Sequence, residues 1–206
     1  MGSSVSSVVG DHVARLAPES FVAASDIDRS RGAVDTALSR LCASGDLLRV
    51  RKGLYWKGLV TRLGMTRPRV EDVAIRVGGP GSGPSGVAAA HWLGLTTQVP
   101  ATFTAAVPIR APKSWGEVRF TERSLGRRLR DLYPTEVALV EVLRSGPAVV
   151  ESHWSDLAEV AGELVVRGDV RPGVIDEQVR DEHHVAMRER WSELIEATPA
   201  LSKAMA

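Results

Sequence analysis

The sequence predicts an α+β protein with an N-terminal winged helix-turn-helix, a mixed α/β middle segment and a helical C-terminal part. Three observations carry that expectation. "LLRVR", a "KG" turn and "LYWK" read as a tight β-hairpin over residues 47–57, placed after three short helical patterns. "ATFTAAVPIRAP" and "GEVRFTER" read as strands interrupted by Pro108 and Pro112. From Pro134 onward, apolar residues recur mostly at helical spacing.

Val5, Val8, Val9, Val13 and Leu16 form the first helical stripe, and Pro18 ends it. Phe21, Val22 and Ile27 belong to a second short element, followed by the polar turn "DIDRS". The third, "SRGAVDTALSRLCASG", opens on Ser30 as N-cap and closes on Gly45 as C′ residue, with Val34, Leu38 and Leu41 on one stripe. Helix, helix, helix, hairpin is the order of a winged helix. The expected domains are residues 1–62 and residues 63–206. In the second, "RPRVEDVAIRV" is a helix opened near Pro68, and "SGVAAAHWLG" a short one stopped by Gly94. "PTEVALVEVLRS" ends at Gly146-Pro147 and "SDLAEVAGELVVRG" at Gly168. One long last helix is expected from about Gly173 to Ala197. On it Ile175, Val179, His183, Met187, Trp191 and Ile195 form an i+4 packing ladder, with His183 a packed or rim histidine.

Hydrophobic residues make up 44% of the 206 and charged residues 25%, the balance of a globular chain. No run has the length of a membrane span, and "MGSSVSSVVG" lacks the basic and apolar regions of a signal peptide. Its first residues read as a cloning remnant. Cys42 is alone, which fits a reducing cytoplasm. Net charge is +1, but residues 1–130 hold 19 Lys+Arg against 10 Asp+Glu, a net of +9. Residues 131–206 hold 7 against 15, a net of −8. That division suggests two surfaces with different partners, the first nucleic acid, or else chance clustering of solvated charges. Only four of the 26 basic residues are Lys, which fits phosphate recognition and equally a GC-rich genome.

With Val34 as the buried reference, the far side of the third helix holds Gly32, Thr36, Ser39 and Ala43, flanked by Arg31, Asp35 and Arg40. Small residues let a helix approach a major groove, while hydroxyls and arginine forks reach bases and phosphates. The hairpin adds Arg49, Arg51, Lys52 and Lys57, suited to a wing along the phosphate backbone. The alternative is that winged helices also dock proteins and that such charges are merely solvated.

The segments "FVAASDI", "AVDTALSRLCASGDLLRVRKGLYW" and "PSGVAAAHWLGLTTQVPATF" resemble the AbiEi-type antitoxins of type IV toxin–antitoxin and phage-defence pairs. They cover most of residues 21–103; beyond about Asp131 the likeness is helical character alone. The resemblance implies a repressor that binds repeats in its own promoter DNA and counteracts a cognate nucleotidyltransferase-like toxin. Arg31, Thr36, Ser39, Arg40, Arg51 and Lys52 correspond to the family's recognition helix and wing.

"VGGPGSGPSGVAAAHWLGL" raises the question of a phosphate-cradling loop. It follows a helical rather than a strand pattern, Pro80 and Pro84 lack amide hydrogens, and no Lys lies between Lys57 and Lys113. "VAIR" precedes the glycines and lacks the kinase lysine. The stretch therefore reads as a flexible turn that lets Ala88, Ala89 and Ala90 pack tightly. No cofactor is expected. ATP and Mg²⁺ enter only if the chain is an atypical serine/threonine protein kinase that silences its toxin by phosphorylation. A stand-alone DNA-binding regulator is the remaining alternative.

His183-His184 beside Asp181 and Glu182 lacks metal-ligand spacing, and Ser85-Gly86 is not a nucleophile motif. Toxin neutralisation is assigned to residues after about Leu63. Glu151, Asp156, Glu159 and Glu163, with Glu177, Asp181 and Glu182, are the candidate acidic contacts for a cationic toxin surface, a contact that could be transient. The competing reading makes them solvated faces of packed helices.

Overall fold

A computed structural model of the chain describes residues 4–205. The cloning-remnant reading of the first three residues lies outside them. The protein is α+β and divides into two compact units, Met1–Arg69 and Val70–Ala206.

The first unit runs α1 (Val5–Arg15), β1 (Ser20–Ala23), one 3-10 turn (Ala24–Asp26), α2 (Arg31–Ala43), β2 (Leu48–Arg51) and β3 (Leu54–Lys57). The sheet is antiparallel, in the order β1-β3-β2. Here the structure corrects the expected second helix. "SFVA" pairs with β3, setting Phe21 against Trp56 with ring centroids 4.8 Å apart, so the cross-strand aromatic contact wins over helix formation. The Asp26 carboxylate accepts from the Ala23 amide at 2.9 Å and closes the turn. Val9, Val13, Val22, Ile27, Val34, Leu38, Leu47 and Tyr55 form the buried core, so the helical stripes face inward as expected.

This unit reaches seven residues past the expected boundary at residue 62. β4 (Val60–Thr61) and β5 (Gly64–Met65) make a small hairpin whose far end is tied to the sheet. Trp56 Nε1 donates to the Thr66 carbonyl at 2.8 Å, and the Leu59 amide donates to Thr66 Oγ1 at 2.9 Å.

The second unit is built on a three-stranded sheet of order β6-β7-β8, from β6 (Gly83–Pro84), β7 (Phe103–Val107) and β8 (Val118–Glu122). β7 pairs antiparallel with β6 and parallel with β8, in register from Phe103↔Val118 to Val107↔Glu122. Around it lie α3 (Val70–Gly78), α4 (Val87–Trp92), the single turn α5 (Gly126–Leu129) and α6 (Pro134–Ser145). Then come α7 (Asp156–Arg167), α8 (Pro172–Asp181), α9 (Val185–Ala197) and α10 (Pro199–Met205). α6 is the central helix: every residue from Glu136 to Leu143 is buried. It shares one buried cluster with Ala89 and Ala90 of α4, Leu157 and Leu164 of α7, Ile175 and Val179 of α8, and Met187 and Trp191 of α9.

Two expectations change here. The long last helix is two helices, broken at residues 182–184. Glu182 leaves helical geometry (φ −80°, ψ 114°), and His184 N-caps α9 by accepting from the Met187 amide at 3.1 Å. His183, expected on the packing ladder, is exposed.

The glycine-rich stretch is not a flexible turn. Residues 81–85 are buried, and β6, an edge strand paired with β7, packs against α6. Gly81 has φ +77°, and a Cβ there would stand 2.5 Å from the Arg127 carbonyl oxygen and 2.6 Å from the Arg128 amide nitrogen. At Gly83 a Cβ would meet Val137 Cβ at 2.7 Å and the Pro134 carbonyl at 2.8 Å. Backbone cannot yield as a side chain can, so these glycines are required for close packing. Gly81→Ala is expected to lower unfolding stability by more than about 2 kcal/mol, through the clash and the left-handed backbone together. Ser82→Ala, which removes a buried hydroxyl without a hydrogen-bond partner, should cost less than about 0.5 kcal/mol. Denaturant melts of both variants check this; a Gly81→Ala protein as stable as the parent would refute the packing argument.

Candidate nucleic-acid interface

On α2, burying Val34, Ala37 and Leu38 leaves Arg31, Gly32, Thr36, Ser39, Arg40 and Ala43 exposed. Arg31, Ser39 and Arg40 make no side-chain hydrogen bond or ion pair among the described residues. Thr36 differs: its Oγ1 donates to the Gly32 carbonyl at 2.8 Å, so the hydroxyl hydrogen is already used. A shallow depression of about 400 Å³ opens on this face, lined by Asp35, Thr36, Ser39, Arg40 and Ala43.

The wing follows from strand alternation. In β2, Arg49 and Arg51 are exposed while Leu48 and Val50 are half-buried, and Lys52 is exposed in the turn with Gly53. The ladder to β3 shifts register between Arg49 and Arg51, a feature that bends and twists a hairpin locally. Lys57 does not belong to this basic surface. Its ammonium donates to the carbonyls of Val13 at 2.8 Å, Ala14 at 3.2 Å and Leu16 at 2.5 Å, capping the C-terminal end of α1. The unit still carries 11 Lys+Arg against 6 Asp+Glu, a net of +5. Near the end of α2, burial pushes the half-buried Cys42 thiol up despite the nearby Arg49 charge, keeping it protonated.

The acidic candidates of the second unit scatter. Glu159 and Glu163 are exposed on α7 and have no side-chain partner among the described residues. Glu151 is exposed but accepts from the Thr97 amide at 2.8 Å and from the Thr96 and Thr97 hydroxyls at 2.9 Å, which hold its carboxyl below the usual range. Asp156 is half-buried and accepts from the His153 amide at 3.2 Å. Glu177 and Asp181 are exposed and both pair with Arg130. Glu182 corrects the expected surface outright: it is 3% exposed and faces the interior.

Glu182 belongs to a buried ionic network that the sequence reading missed. Arg127, with no exposed surface, pairs with Glu182 at 2.6 Å and with Glu141 at 2.7 Å. Arg123 clasps Glu141 with two bonds of 2.7 and 2.9 Å, and Arg144 reaches Glu182 at 2.5 Å. Burial alone would raise both carboxyls. The hydrogen bonds and charges of Arg127 and Arg144 outweigh it at Glu182 and hold that group at about 2. Those of Arg123 and Arg127 likewise lower Glu141. Arg123, Arg127 and Arg130 are paired with acids from beyond residue 131 inside one unit, so part of the +9 and −8 is offset within the second unit.

The glycine stretch offers little to a phosphate. The Ser82 amide donates to the Gly79 carbonyl and the Ser85 amide to the Thr104 carbonyl, and β6 is paired with β7. A cavity of about 280 Å³ beside it is lined by Ile75, Pro80, Ser82, Leu132, Tyr133 and Pro134, among others. Among the described residues no group of His, Cys, Asp and Glu is placed to hold a metal ion, and no helix is long and apolar enough to cross a membrane.

No protein family and no curated protein matches the chain. Among solved structures it is similar to the RV2827C protein from Mycobacterium tuberculosis, with 18% identity and a TM-score of 0.42, over 100% of this chain and 81% of that one.

Glu182 and Glu141 have lowered pKa values in the folded state, so their contribution to stability is complete above the ordinary carboxylate value of 4.5. It is lost as pH falls from there toward about 2. One pKa unit corresponds to about 1.4 kcal/mol, so Glu182 alone accounts for a few kcal/mol. Chemical denaturation of the full chain between pH 6 and pH 2 (approximate limits set by these groups) should show this fall. Replacing Glu182 with Gln should flatten it.

Proposed function

We propose that the chain is the antitoxin of a bacterial toxin–antitoxin pair, counteracting a nucleotidyltransferase-type toxin, and that it autoregulates its operon by binding promoter repeats. The observation that carries the DNA-binding part is the juxtaposition of an exposed, small-residue helix face with a basic hairpin in one compact unit. Arg31 and Arg40 are exposed on α2, as are Arg49, Arg51 and Lys52 on the wing. Gly32, Ser39 and Ala43 leave room for a groove wall to approach. The antitoxin part rests on the resemblance of residues 21–103 to the AbiEi-type antitoxins.

In this reading the first unit holds the promoter and the second carries neutralisation. The acidic residues available for a cationic toxin surface reduce to Glu159 and Glu163 on α7, with Glu177 and Asp181 shared with Arg130. Long-range attraction is correspondingly weaker than the linear charge division suggests, which suits a transient contact.

Arg40→Ala is expected to weaken operator binding by about 1–3 kcal/mol, the worth of one bidentate base contact. Lys52→Ala should weaken every duplex alike and reduce the salt slope by about one. Gel-shift titrations across salt on the upstream region measure both; equal, negligible affinity for all duplexes would sink the DNA-binding reading.

The full-length protein carrying both substitutions should lose promoter repression yet still restore growth when co-expressed with its toxin. Loss of growth rescue at normal protein levels would refute the division of labour.

A further inference from the structure

The face of α2 carries a carboxylate that neither neighbouring arginine neutralises. Asp35 lies one turn after Arg31 and lines the depression shared with Thr36, Ser39, Arg40 and Ala43. Its Oδ1 is buried and accepts no hydrogen bond within the protein, so Oδ2 is the oxygen left to face a base. Among the described residues no ion pair joins it to Arg31 or Arg40. On a phosphate-binding face a lone acid lowers affinity for every duplex, so its physical use there is discrimination.

The surrounding groups narrow what it discriminates. Arg31 and Arg40 are pure donors, matched to the N7 and O6 acceptors of guanine. Thr36 has given its hydroxyl hydrogen to Gly32 and presents only lone pairs and a methyl. The depression also holds the Ser39 hydroxyl and the Arg40 guanidinium, but at Asp35 itself a carboxylate can only accept, which calls for a base that presents an amino group. Cytosine N4 and adenine N6 are the two choices in the major groove. On its own ring adenine N6 sits beside the N7 acceptor, which repels a carboxylate, whereas cytosine N4 has a C–H there.

We propose that Asp35 is a specificity-determining residue that accepts a hydrogen bond from the N4 amino group of one cytosine in the operator. The inference rests on the DNA-binding reading and refines it. A purely structural role predicts no change in base preference. A reading role predicts that discrimination falls at one base pair while affinity for random duplex rises, because a negative charge has gone.

The test selects duplexes from a random library with full-length wild-type protein, Asp35→Asn and Asp35→Ala. Wild type should select a cytosine at one position of the bound site. Asp35→Ala should lose that preference, by about fivefold to a hundredfold, keep the guanine positions and bind random duplex more tightly. Asp35→Asn, close to isosteric, should turn the same position toward adenine, whose N6 and N7 an amide can engage together. Asp35→Ala and Asp35→Asn proteins that select the wild-type bases with wild-type discrimination would overturn the inference and leave the DNA-binding reading intact. A wild-type chain that selects no sequence overturns both.

Discussion

The guanidinium of Arg127 has no surface of its own, and most of the larger unit is arranged around that fact. Removing such a charge from water costs several kcal/mol, which only close, well-directed carboxylates offset. Glu141 and Glu182 supply them, and each in turn needs a second arginine, Arg123 and Arg144. Glu141 comes from α6, buried along most of its length, and could not sit there unpaired. Glu182 must turn inward at the end of α8, so that helix cannot run on into α9. The backbone of Arg127 lies so close to residue 81 that only glycine fits opposite it. The segment around Arg127 thus brings together a helix break, an obligatory glycine and ion pairs between charges that look opposed in the linear sequence.

The same logic appears at the other end of α6. Glu136 is buried and accepts from the amides of Tyr133 and Arg171 at 2.8 Å each, while the Arg171 guanidinium pairs with it and stacks 3.9 Å over the Tyr133 ring. These contacts join residues 35 positions apart, fixing where the chain re-enters the bundle after α7. Breaking either partner would leave an uncompensated charge, a larger penalty than the pair's net contribution.

The elements that could be read from the sequence were those with local causes. The apolar stripes of α1 and α2, the Lys52-Gly53 turn, the proline stops and the left-handed Gly168 each follow from neighbours a few residues away. The exposure of Arg31, Arg40, Arg49 and Lys52 follows from period alone. What could not be read depends on partners distant in sequence. "SFVA" is a strand because Trp56 waits opposite Phe21. Lys57 is a cap because α1 ends beside it. Glu182 is interior because Arg127, 55 residues earlier, is interior. Arg127 itself looked like one more basic residue in "GRRLR". Spacing along a chain carries no mark of a long-range ion pair.

The three carbonyls held by Lys57 have a mechanical side. β3, the strand from which the wing hangs, is fastened to the last turn of α1, and β1 closes the sheet on its other edge. α1, the sheet and the wing are therefore tied into one body. On a duplex, a body that does not flex leaves the bending to the DNA. In the proposed DNA-binding role, base steps that kink easily would then be favoured even where no side chain touches them, and the promoter's pliability would become part of its address.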